Sequence, residues 1–187
     1  MTARRDPEAR RQQIITAAVR AIAEHGVGNV THRRIAALAG VPLGSTTYYF
    51  PTLDDLVATA LRESVETARA GLEAWAEELL VSRDLPDTFV DLVCRYLADR
   101  EQALLDYEMC LAAARTPELR PAAELWIDGI RGICARFAGP ERGFALAALI
   151  DGFMLQALVT DGPPDVNGLR AGVAALLLNP RTAEEPT

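Results

Sequence analysis

Three features of this 187-residue chain predict an all-α fold. Half of its residues are hydrophobic, with Ala and Leu dominant and few β-branched runs. Apolar side chains return at helical spacing through most of the length. Glycines, prolines and capping side chains divide that pattern into about nine helical segments. The expected layout is a head of three short helices over residues 1–51 and a helical body over 52–187.

The elements follow in order. Asp6-Pro7-Glu8 supplies an N-cap, a proline at the first helical position and an acid in the first turn. The helix it starts runs to about His25, with Ile14, Ala18 and Ile22 on one stripe and Ile15 and Val19 beside it; Gly26 ends it. Ahead of it, Arg4 and Arg5 lie on a short arm that either touches DNA or frays. Thr31 caps a second helix, with Ile35, Ala36 and Leu38 inward and His32, Arg33 and Arg34 outward. Ala39-Gly40-Val41 makes a tight turn, and Pro42 fits the first turn of a third helix, Leu43 to Tyr49. Residues 31–50 thereby describe a helix-turn-helix, whose second helix is built to enter a major groove.

Thr52, with Asp55 three residues later, starts a long fourth helix to about Leu80. Five more follow: about 87–98, about 100–114, a segment from Thr116-Pro117-Glu118 to Phe137 that Pro121 can interrupt, Gly139-Pro140 to about Thr160, and about 166–178.

The run T-x-R-x-I-A-x-x-A-G-V at 31–41, then G-S-x-x-Y-Y-F-P at 44–51 and D-D-L at 54–56, resembles the DNA-binding domain of the tetracycline-repressor-like (TetR) regulators. Beyond that domain the likeness is one of layout, nine helices included. The resemblance puts Arg33 within reach of a base edge. It makes Leu43, Gly44, Ser45, Thr47 and Tyr48 the groove-facing surface, and aligns Thr31, His32 and Tyr49 with phosphate contacts. One departure is Leu53, where many relatives carry a lysine.

Charge supports this reading once it is located. The net charge is −7, yet residues 1–50 hold seven Arg against three acids, a basic head on an acidic body. All nineteen basic side chains are arginine. Cys94, Cys110 and Cys134 are too widely spaced for a zinc signature or a disulfide framework, so buried thiols are expected, with redox sensing the minor alternative. No cofactor or metal is expected, nor an enzyme, because no nucleophile–base pair, ligand spacing or phosphate loop is present. Residues 1–13 are polar and charged, unlike a secretory leader. The longest apolar run, 144–159, is short for a membrane span and contains Asp151 and Gln156. A cytoplasmic protein with no membrane partner is expected.

The helices at about 140–160 and 166–178 are apolar around most of their circumference. A four-helix bundle with a second copy, a C2 homodimer on palindromic double-stranded DNA, accounts for both helices and head; the alternative is a monomer with an unusually large core. By the same resemblance the body encloses an apolar cavity for an unidentified small-molecule effector. Phe89, Tyr96, Tyr107, Met109 and Trp126 are candidate walls, among aromatics that also include Trp75, Phe137 and Phe153. Asp151 and Gln156 are candidate polar groups. The expected function is a sequence-specific transcriptional regulator, a repressor relieved by its ligand. The alternative is a helical ligand-binding or protein-interaction module that has lost DNA binding.

Overall fold

The computed structural model describes residues 6–177, so the Arg4–Arg5 arm and the chain beyond Leu177 lie outside the described residues. Among these the structure is helical without strands: α1 (Pro7–His25), α2 (His32–Leu38), α3 (Leu43–Tyr49), α4 (Leu53–Val81), α5 (Leu85–Ala98), α6 (Arg100–Ala113), α7 (Arg120–Ala138), α8 (Pro140–Val159) and α9 (Val166–Leu177). Single turns of 3-10 helix occupy Val27–Asn29 and Pro117–Leu119.

Local chemistry sets most boundaries. The Asp6 carboxylate accepts from Glu8 N at 3.0 Å and Ala9 N at 3.3 Å, satisfying two donors that the first turn of α1 leaves free. Thr52 accepts from Asp55 N at 3.1 Å while its hydroxyl donates to Asp55 Oδ2 at 2.7 Å. Asp84 caps α5 by accepting from Asp87 N at 3.1 Å, so that helix starts two residues earlier than expected, with Pro86 inside its first turn. Pro42 stands one place ahead of α3, at its N-cap, rather than in its first turn. Thr116 makes no side-chain cap; the break foreseen at Pro121 falls just before it, where the 3-10 turn gives way to α7.

The chain forms two compact units. The first holds residues up to Ala68 together with Leu105–Glu124. Its core joins Ile14, Ile22, Ile35, Phe50, Leu56 and Ala60 to Met109, Ala112 and Leu119. It therefore extends past residue 51, and α4 and α6 supply further walls to the first three helices. Arg11 braces this unit, with its guanidinium 3.5 Å from Glu63 and 5.4 Å from the centre of the Phe50 ring. The expectation that Leu38 points inward fails. It is 42% exposed, and Ile35, Ala36 and Ala39 bury the inner face of α2 without it.

The second unit holds Arg69–Leu104 and the chain from Leu125 onward. In it α5, α8 and α9 pack mutually, burying Phe89, Val93, Leu146, Ile150, Met154, Leu169 and Val173. Arg100 donates to the carbonyls of Leu158 (2.5 Å) and Ala157 (3.4 Å), capping the C-terminus of α8. Asp87 and Arg170 form an ion pair between α5 and α9. At twenty residues α8 reaches membrane-span length, which corrects the expectation that this stretch is too short: the helix begins at Pro140, ahead of the apolar run. Its Gly143, Leu146, Ala147, Ile150, Met154 and Leu158 face lies in the core of the unit.

Candidate nucleic-acid interface and effector site

The corner between α2 and α3 is built from backbone bonds that favour glycine. Val41 N donates to Ala36 O at 3.0 Å and Gly40 N to Ala37 O at 3.2 Å, the paired bonds of a Schellman motif. Gly40 takes the required left-handed conformation at φ +62°. Gln13 of α1 donates to Ala39 O at 2.8 Å and pins the corner from behind. Sequence reasoning missed Gln13, because a polar residue on the outer side of an amphipathic helix gives no sign that another helix corner lies beside it.

On α3 the side chains divide cleanly. Thr46 is wholly buried, its hydroxyl donating to Leu43 O at 2.8 Å. Leu43, Gly44, Thr47 and Tyr48 form one contiguous exposed face, with Tyr48 80% exposed. Ser45 and Tyr49 are half-buried at its margins, and the Tyr48 and Tyr49 rings meet edge to face at 5.1 Å. Small and hydroxylated side chains on such a face permit close approach to base edges. Arg33 is exposed on α2. Thr31 accepts from Arg34 N at 3.2 Å, which leaves its hydroxyl hydrogen to donate outward.

His32 departs from expectation. Both ring nitrogens are buried and unpartnered, so the side chain as placed offers no donor to a phosphate. Leu53, the departure from the lysine that many relatives carry, packs half-buried against the core of the first unit.

The effector candidates do not gather in one place. Met109 belongs to the core of the first unit, and Tyr107 lies half-buried in that unit. Phe89 is a core residue of the second unit, edge-on to Phe137 at 6.1 Å. Gln156, expected as a polar group of the cavity, is exposed on α8, on the side of the helix turned away from the core. Asp151 is half-buried; burial raises its pKa above the ordinary carboxylate value, and the charge of Arg131 opposes the shift. Burial, then Asp151, pushes the neighbouring Cys134 thiol up to about 12.

Tyr96 and Trp126 do come together, with Trp75, which sequence reasoning had not assigned to the site. Their ring centroids lie 5.6 Å apart for Tyr96–Trp126, 6.2 Å for Trp75–Trp126 and 6.3 Å for Trp75–Tyr96. An open cleft of about 370 Å³, lined by Glu78, Asp91, Cys94, Arg95 and Ala98, lies on α4 and α5. Arg95 donates to Glu78 there at 2.6 Å.

Comparison with known proteins agrees with this geometry. Residues 14–60 match the model of the bacterial regulatory proteins of the tetR family, and residues 81–179 match a tetracyclin repressor-like C-terminal domain. Crystal structures of the multidrug binding protein EbrR are similar. In the complex with malachite green it is 40% identical, the match covering 90% of this chain and 98% of that one, with a TM-score of 0.69. EbrR was also crystallised with imidazole, proflavin and ethidium. The transcriptional regulator BetI of Escherichia coli O157:H7 is 27% identical over 83% of this chain and 86% of its own. The regulator PksA of Bacillus subtilis is 33% identical over 99 residues; that match spans 53% of this chain and 40% of PksA.

Proposed function

The chain belongs to the TetR family of DNA-binding transcriptional regulators, and on that premise we propose that it is a homodimeric repressor released from a palindromic operator by a small molecule. The observation that carries this reading is the exposed face of Leu43, Gly44, Thr47 and Tyr48 on α3, held beside Arg33 by the Gly40 corner. In this reading α3 lies in the major groove, Arg33 reads a base edge, and Thr31 and Tyr49 hold phosphates. The domain that reads DNA is residues 1–51, and the remainder binds effector and partner, in the cytoplasm.

Dimerisation is supported by α8, whose Phe144, Ala148, Leu155 and Val159 form an exposed apolar stripe opposite its buried face. A second copy of the helix covers that stripe by two-fold symmetry. Effector control is supported by the relatedness to EbrR, which was crystallised with several small molecules. α4, α6 and α7 each contribute residues to both compact units, so the chain joins body to head through three helices. The effector releases DNA only if it binds the released setting more tightly than the DNA-competent one.

The test is binding of the full-length protein to a palindrome from the region upstream of its own gene, measured over a range of salt. Affinity is expected to fall linearly on a log–log plot as phosphate contacts release counterions. Absence of binding at low salt would overturn the reading and favour a helical ligand-binding module without DNA recognition.

A further inference from the structure

Three successive residues of α1 reach the elements on either side of α3. Neighbouring residues of a helix point about 100° apart, so Arg11, Gln12 and Gln13 fan across roughly 200° of its circumference. Gln13 Nε2 donates to Ala39 O at 2.8 Å, in the corner that leads into α3. The Arg11 guanidinium lies 5.4 Å from the centre of the Phe50 ring, and Phe50 is the residue that ends α3. Arg11 and Gln12 both hold Glu63 of α4. Arg11 Nη1 is 3.5 Å from one carboxylate oxygen, and Gln12 Nε2 donates to the other at 2.8 Å. All of these groups belong to the first unit.

The corner has need of such support. A helix end leaves its last carbonyls without intrahelical donors. The Schellman bonds occupy the carbonyls of Ala36 and Ala37, and the carbonyl of Ala39, a residue only 5% exposed, takes its donor from Gln13. Among the seven residues of α3 only Thr46 is buried, so the helix brings little apolar surface of its own to fix its direction. Reading a base edge requires hydrogen-bond geometry that a small tilt of α3 removes, whereas attraction to phosphates survives it. A hold on both ends of α3 therefore bears on sequence discrimination.

We infer that Gln13 and Glu63 are positioning residues for operator recognition, acting without DNA contacts of their own. Gln13 fixes the entry to α3, and Glu63 steadies the Arg11 that packs on its exit. Because Glu63 belongs to α4, the setting of α4 reaches α3 through α1 as well as along the chain. This inference rests on the reading that α3 lies in the major groove.

The experiment measures the full-length protein on the palindrome upstream of its own gene and on a scrambled duplex of equal length and composition. Gln13→Met keeps the side-chain length and helix propensity but removes the donor. It is expected to lower the operator-to-scrambled affinity ratio about tenfold, with scrambled binding unchanged because no charge is altered. Gln13→Lys supplies a donor again and should recover most of the ratio; its added charge strengthens binding to both duplexes alike and cancels in the quotient. Glu63→Leu should lower the ratio about threefold, since the Arg11–Phe50 contact that Glu63 steadies is the weaker hold. A lowered thermal midpoint with an unchanged ratio would assign Gln13 to stability alone and overturn the inference, as would equal losses on both duplexes. Amide hydrogen exchange without DNA gives a second readout. In Gln13→Met the Gly40 and Val41 amides are expected to exchange about tenfold faster while those of residues 14–22 hold. Unchanged exchange at the corner would likewise overturn the inference. If the unaltered protein fails to bind the palindrome, the repressor reading falls, and the exchange rates still decide whether Gln13 holds the corner.

Discussion

His32 and Arg33 stand side by side at the start of α2 with opposite prospects on DNA. Arg33 is exposed, with a planar fork of donors suited to the O6 and N7 of a guanine. Arg33→Ala is expected to relax preference at individual operator positions by ~1–3 kcal/mol, seen as a flattened profile in binding to single-base operator variants. His32 has both nitrogens buried without partners. An unsatisfied buried polar group costs ~1–3 kcal/mol, and an apolar group of similar shape removes that cost. His32→Phe should therefore leave the thermal midpoint unchanged or raised, with operator affinity intact. A uniform loss of affinity across operator sequences would show instead that the imidazole turns outward to a phosphate on the duplex.

Elements divide into those settled within one turn and those settled from afar, and this division explains what could be read in advance. Asp6, Thr52 with Asp55, Gly26 and Gly40 act on backbone groups two to five residues away, so the starts of α1 and α4 and the corner before α3 were legible in sequence. The seven-residue α3 fell where expected for the same reason. The inward aim of His32 and the outward aim of Leu38 depend on how α2 packs against α1 and α3, and a pattern within α2 cannot register them. Met109 was taken for a cavity wall but lies in the head core, because the contacts of α6 are decided by tertiary packing. Helix approach is another tertiary property, visible at Gly143. A Cβ there would stand 2.4 Å from Ala135 Cα and 2.5 Å from its N, so α7 and α8 meet backbone to backbone. Gly132 of α7 has nothing within 4 Å of such an atom. Gly132→Ala should stabilise by ~0.5–1 kcal/mol through helix propensity. Gly143→Ala should destabilise by ~1–3 kcal/mol, because neither backbone can yield without moving a helix. Urea unfolding of the two variants checks the opposite signs.

At the scale of the molecule the basic head and acidic body act together only if two heads are held at a spacing that matches the duplex, about 34–36 Å or a multiple. A single α3 presents four exposed residues on two turns, one of them a glycine, too little surface for tight specific binding by one copy. The stripe on α8 is where a second copy would be held. Leu155 lies at its middle and is 48% exposed in the single chain, so Leu155→Glu should alter folding of the subunit by no more than about 0.5 kcal/mol. In a two-fold interface the substitution occurs twice, placing two carboxylates in an apolar seam without partners. Sedimentation velocity should show a folded monomer at micromolar concentration, with unaltered helical circular dichroism. Binding to a palindrome should collapse to the weak affinity of a half-site, since the second head no longer binds at high effective concentration. If the Leu155→Glu protein remains a dimer and keeps its affinity, the subunits meet on another face, and the exposed stripe of α8 has a different occupant.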